Sequence, residues 1–144
     1  MKNSVLSVPA ALLLSMKIPY IWGGNNPLTG LDCSGFVCEV LRCGGFLNSG
    51  DYTAQGLFNL FRTKERGKII HPDDIFEDDC LLFFGESLDN ITHVAIGIDR
   101  WTMFEAGGGG EHIRTAEDAA KAGAYVRMRS ISSRKDLVAR LMVL

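Results

Sequence analysis

The chain has 144 residues, enough for one domain with a real core and too few for two. Hydrophobic residues make up 47% and charged residues 22%, the balance of an ordinary globular protein. A net charge of −2 provides no broad basic field, which argues against nucleic acid as a partner. No stretch approaches the ~20 apolar residues that a membrane-spanning helix needs, so no membrane is expected either.

Met1-Lys2-Asn3 followed by an apolar run to Met16 has the outline of a weak leader peptide. No small-x-small cleavage site follows the run, and Tyr20-Ile21-Trp22 begins four residues after Met16. The run is therefore read as an amphipathic helix of the fold, over about residues 7–16. Pro19 marks a break, and Gly23-Gly24-Asn25-Asn26-Pro27 a turn-rich loop. A second helix is expected over about residues 33–42, with Phe36, Val37, Val40 and Leu41 as its apolar stripe and Gly44-Gly45 as its stop.

Residues 46–79 read as polar and irregular, with a short helical piece around residues 54–61 and acidic turns at Asp73-Asp74 and Asp78-Asp79. Strands follow: a continuous apolar run at 80–84, then 91–98, 102–106 and an alternating segment at 124–131. The glycines at 107–110 suggest a flexible turn, with a possible short strand at 112–114 beyond it. Ser132-Ser133 opens a last short helix or strand ending in Leu141-Met142-Val143-Leu144. Helices first and antiparallel strands afterwards define an α+β fold.

The four cysteines stand at 33, 38, 43 and 80. There is no Cys-x-x-Cys pair, and a spacing of five does not stack thiols on one helical face, so neither a zinc site nor another metal site is expected. A disulfide framework is disfavoured because three of the four lie in one helix and its start. Cys38, Cys43 and Cys80 are read as small buried hydrophobes with reduced thiols.

Cys33 is different. It sits at a loop-to-helix junction, where unpaired backbone N–H groups and the helix dipole stabilise a thiolate and can also hold the oxyanion of a tetrahedral intermediate. A cysteine alone is more often structural, but Asp32, Ser34 and Gly35 are not residues that line an apolar core. Sixty residues later, His93 stands in the alternating strand Ile91-Thr92-His93-Val94-Ala95-Ile96 and can supply the base. His71, before Pro72, and His112, after four glycines, are less rigidly presented. Glu105, twelve residues beyond His93, can orient the imidazole if the connecting loop is odd, for example Asp99-Arg100-Trp101. An ordinary exposed glutamate is the plain alternative. Arg127 and Arg129 alternate on a strand, where a solvated face accounts for them as well as a ligand does.

Tyr20-Ile21-Trp22-Gly23-Gly24, Asp32-Cys33-Ser34-Gly35-Phe36, Leu81-Leu82-Phe83-Phe84 and Thr92-His93-Val94-Ala95-Ile96 resemble, in order, the successive motifs of the NlpC family of papain-like cell-wall cysteine peptidases. The similarity runs over about residues 7–115. The Asp-Cys-Ser-Gly-Phe element with its upstream Gly-Gly is specific; the strand motifs are individually weak. The resemblance implies a papain-like α+β fold over residues 1–144, without cofactor. It also implies hydrolysis of amide bonds in peptidoglycan stem peptides or muropeptides, commonly beside D-γ-glutamyl and diamino acid residues. By the same resemblance Cys33 is the nucleophile and His93 the base. Tyr20 lies beside the sulfur at the oxyanion site, Asp32 and Ser34 meet the free amino group of the substrate, and Trp22 belongs to the substrate pocket.

Two departures stand out. Glu105 occupies a position where the family usually has His, Asn or Gln; a carboxylate there either holds the imidazole charged or leaves its orientation to another group. Ala95-Ile96-Gly97 also stands where the family prefers Gly earlier and an aromatic later. Alternative readings are a structural component, such as a phage tail-tip protein, and the same machinery turned to another amide, as in an amidase, transferase or toxin. With no clear export signal or wall-binding module in the sequence, a phage-tail or secretion-apparatus partner is the expected delivery route.

Overall fold

The computed structural model describes residues 4–144, so the Met1-Lys2-Asn3 start of the weak leader pattern lies outside the described residues. Four helices, α1 (Ser7–Ser15), α2 (Cys33–Cys43), α3 (Ala54–Phe61) and α4 (Ala116–Ala122), accompany eight strands. Strands β1 (Asn25–Asn26) and β2 (Gly30–Leu31) form a small hairpin; β3 (Gly67–Ile70), β4 (Cys80–Ser87), β5 (Asn90–Gly97), β6 (Thr102–Gly107), β7 (Tyr125–Ser130) and β8 (Leu137–Val143) form one antiparallel sheet in the order β3-β8-β4-β5-β6-β7. The fold is α+β, as the order of elements implies.

β4 explains why its sequence is continuously apolar. Leu81 and Phe83 face the main core with Phe36, Val40, Leu41 and Phe58 from α2 and α3. Cys80, Leu82 and Phe84 face the other way, into a second cluster with Ala95, Met103 and Ile131. A strand buried on both faces loses the polar half of its alternation.

The helix α2 is bounded by its own residues. Asp32 caps it, accepting from Gly35 N at 2.7 Å, and Cys33 is its first residue. It ends where Gly45, at φ +79, turns left-handed, with Phe46 N bonding Leu41 O and Gly45 N bonding Arg42 O. Its stripe of Phe36, Val37, Val40 and Leu41 is fully buried. The cap of α1 comes from elsewhere: Asp79 accepts from Leu6 N at 3.1 Å and Ser7 N at 2.8 Å.

Several sequence expectations need correction. Within 46–79, residues Gly67–Ile70 pair with β8 as an edge strand. Asp79, read from the sequence as part of an acidic turn, is buried at 3% exposure. Residues 112–114 form no strand; Ile113 O instead accepts from Trp22 N at 2.8 Å. Helix α4 stands where none was read, held by a capping box of Thr115 and Asp118 and by left-handed Gly123. Cys38 and Cys80 are buried, but Cys43 is exposed because it closes α2 on the face away from the core.

Candidate active site

The thiol of Cys33 is placed by a tight backbone junction. A side chain at Gly35 would collide with the Gly24 carbonyl, and that same carbonyl accepts from Asp32 N at 3.0 Å. A Cβ on Gly24 would in turn lie 2.6 Å from Gly30 O. The Gly-Gly turn, the β1–β2 hairpin and the helix start are thus one interlocked unit, and Cys33, partly exposed, emerges from it. It opens into a cleft of about 470 Å³ whose walls include Tyr20, Trp22, His93, Glu105 and the glycines at 107–110.

His93 approaches from the sheet. On β5 it is paired with Phe84 of β4, and the two rings lie 5.6 Å apart. β5 and β6 pair only at Ile96↔Phe104 and Gly97↔Met103, so the strands part before His93 is reached. Their hairpin closes with Ile98 N bonded to Thr102 O, which makes the loop Asp99-Arg100-Trp101, three residues long. An odd loop keeps the even separation of His93 and Glu105 on one face. His93 Nε2 and Glu105 Oε1 are 2.8 Å apart.

Glu105 is 1% exposed, so the exposed-glutamate alternative falls. Its second oxygen accepts from Arg127 Nε at 3.0 Å, and Arg129 Nη1 stands 3.5 Å from it. Arg127 lies directly across the β6–β7 ladder from Glu105, and Arg129 across from Met103. The solvated-face reading of these two arginines is therefore replaced by an ion-pair cluster at the cleft. Alternation put both on one face, but only the β6–β7 register reveals what that face meets.

The charges follow from these contacts. Burial disfavours a charged His93, yet its interactions with Cys33 and Glu105 outweigh this and raise the ring to about 9. Burial likewise pushes the Glu105 carboxyl up, but His93 and then Arg127 overcome it and hold it at about 2. Burial, with the charges of Cys33 and Asp32 added, pushes the Tyr20 phenol up to about 12, so it remains a hydrogen-bond donor. Asp32 is raised by burial, against the opposing bonds from Gly35 N and Ser34. Its Oδ1 holds both the helix start and, at 3.3 Å, the Ser34 hydroxyl.

The glycines at 107–110 are not simply a flexible turn. A Cβ at Gly107 would lie 2.5 Å from Glu105 Oε2, and one at Gly108, itself at φ +87, 2.9 Å from Arg127 Nη1. One at Gly109 would lie 2.8 Å from the Tyr20 ring, whereas Gly110 has open space. Three of the four leave room for side chains of the site. Among the described residues no group of three or more His, Cys, Asp and Glu side chains could hold a metal ion.

Helices carrying a cysteine at a capped N-terminus, packed on an antiparallel sheet that carries a histidine, define a papain-like α+β protein. Residues 17–132 match the NlpC/P60 family, and the chain belongs to it. It is 35% identical over 94 residues to the bifunctional muramidase/DL-endopeptidase CwlT of Bacillus subtilis, a match covering 64% of this chain and 26% of that protein. The chain thus spans about a quarter of that relative's length. Among solved structures, the NlpC/p60 domain of the peptidoglycan hydrolase SagA superposes with a TM-score of 0.65 at 23% identity, covering 99% of both chains. An NLP/P60 protein of Staphylococcus aureus, similar to lipoprotein, gives 0.66 at 23% identity, covering 97% of this chain and 42% of that one. RipD of Mycobacterium tuberculosis, a non-catalytic NlpC/p60 domain protein adapted to peptidoglycan binding, gives 0.62 at 16% identity, covering 97% of each. These likenesses fix the fold.

Proposed function

We propose that the chain is a cysteine peptidase acting on amide bonds in peptidoglycan stem peptides, as one NlpC-type domain. The observation that carries this reading is the buried His93–Glu105 pair at 2.8 Å beside the Cys33 thiol at the start of α2. Family membership by itself is insufficient, since RipD shares the fold and is non-catalytic. What favours catalysis is that nucleophile, base and orienting carboxylate converge on one cleft.

In this mechanism Glu105 holds Nε2 of His93, leaving Nδ1 for the sulfur. The Cys33 thiolate attacks the scissile carbonyl, and the oxyanion is met by backbone N–H groups at the α2 start and by the Tyr20 phenol. The His93 imidazolium then gives its proton to the leaving amine as the C–N bond breaks, leaving a thioester. Water, deprotonated by His93, attacks that thioester; the acid product leaves and the thiol is restored. Asp32 and Ser34 are suited to a cationic amino group of the substrate, and Trp22, 47% exposed at the rim, to its apolar part. The DL-endopeptidase activity in the name of CwlT supports a bond between D- and L-configured residues as the target.

Mass spectrometry of purified muropeptides after incubation with the protein tests this. New fragments from the wild type and none from Cys33→Ala, with an unchanged Tm, are expected. Chelators should leave the activity intact. Intact muropeptides, equal cleavage by Cys33→Ala, or EDTA inactivation reversed by zinc would each overturn the reading.

A further inference from the structure

Three cations face one carboxylate in this cleft. Glu105 holds the His93 ring on Oε1 and Arg127 on Oε2, so both of its oxygens are engaged before Arg129 reaches it. Arg129 Nη1 stops at 3.5 Å, outside good hydrogen-bond range, and the side chain makes no hydrogen bond among the described residues. Its side chain is 35% exposed and lines the cleft. Neighbouring acids are occupied elsewhere: Asp136 takes both prongs of Arg134, at 2.9 and 2.8 Å, and Asp32 serves the α2 start. Even with the Cys33 sulfur ionised, the β6–β7 side of the cleft keeps an unbalanced positive charge.

We infer that Arg129, with Arg127 beside it, forms a subsite for a carboxylate of the substrate. This rests on the hydrolase reading for its substrate class and adds to it the group that this side of the cleft selects. A guanidinium presents a planar fork of N–H donors that matches a carboxylate's two oxygens, and it stays charged at every working pH. Arg127 and Arg129 are alternate residues of one strand, so both point to the same face from a rigid support. A carboxamide in place of the carboxylate loses the charge and turns one acceptor into a donor facing donors. The cleft is then bipolar. Asp32 beside Cys33 suits a cationic group, and the arginines beyond Glu105 suit an anionic one.

The test uses a synthetic stem peptide and the set in which each of its carboxylates is amidated in turn. Binding is measured by calorimetry to Cys33→Ala, and to Cys33→Ala carrying Arg129→Gln or Arg129→Lys, all checked for an unchanged melt. One amidation should weaken binding to Cys33→Ala by about tenfold or more, and the same amidation should cost little once Arg129→Gln is present. Arg129→Lys should restore part of the preference. Equal costs with and without Arg129, or no binding of any peptide, would overturn the subsite. Hydrolysis by the wild type is scored separately. A protein that cleaves nothing yet discriminates in binding ends the hydrolase reading and keeps the subsite. Cleavage without discrimination does the reverse.

Discussion

Glu105 sets the charge of the site at the scale of single residues. For both members of its pair with His93, burial favours the neutral form and the pairing overrides it. The stability consequences have opposite signs. His93 is raised from 6.5 to about 9, so its contribution is full below about pH 6.5 and is lost as pH rises through about 9. Glu105 is lowered from 4.5 to about 2, so its contribution is present above about pH 4.5 and is lost as pH falls through about 2. The pair therefore supports Tm most between about pH 4.5 and 6.5, and Glu105→Gln should flatten both flanks of a Tm–pH curve. A curve of unchanged shape would show the two groups to be uncoupled. In kinetics, Glu105→Gln should keep measurable activity, because its amide oxygen still accepts from Nε2–H, while Glu105→Ala loses more. The pH–rate profile of Glu105→Gln should change on its alkaline side: without the carboxylate, and with Arg127 and Arg129 left beside it, the imidazolium is disfavoured, so the alkaline limb moves down. Wild-type kinetics in Glu105→Ala would assign the orienting role to another group. Local rules make Cys33, His93 and Glu105 legible in the sequence: a capped helix start, strand alternation and an odd hairpin loop. Arg127 and Arg129 were not legible as site residues, because their partner is set by pairing between strands, with Glu105 lying 22 residues from Arg127 in sequence.

Among the elements, the turn after β6 makes the sharpest test. Gly107→Ala should strike the Glu105–Arg127 pair and Gly109→Ala the Tyr20 ring, each costing about 1–3 kcal/mol as an overpacked site does. Activity should fall in both, and Gly110→Ala should leave Tm and activity near wild type. If all three behaved alike in thermal melts and turnover, these glycines would be serving flexibility, not fit. Helix α1 offers a second measurement. Asp79→Ala removes the acceptor of Leu6 N and Ser7 N, and urea titration should show a loss of about 1–2 kcal/mol. That cap could not be read from the sequence, since it crosses more than seventy residues. Helix α4 could have been, because Thr115, Asp118 and Gly123 are ordinary start and stop signals. β3 could not. Four residues with mixed burial become a strand only because β8 lies beside them.

For the whole molecule, the sequence patterns of β4 to β7 suffice to suggest a meander, and neighbouring strands along the chain are indeed neighbours in the sheet. The exception is β8, which leaves β7 at the far edge and returns to lie between β3 and β4. No local signal announces such a placement, because it is decided by which edge offers an apolar partner: Leu141 faces Leu81 on one side and Ile69 on the other. This has a bearing on biosynthesis. A ribosome making this chain releases the bridging strand after everything it bridges, so the emerging protein holds β4 with one open edge until Leu137–Val143 clears the exit tunnel. Nascent chains arrested before residue 137 should be cut readily by added protease, and those released beyond residue 143 should resist it. Resistance already present before residue 137 would mean that the preceding strands close without their centre. If the strand is required, a chain stopped before residue 137 keeps the inner edge of β4 open and leaves β3 without its neighbour in the sheet.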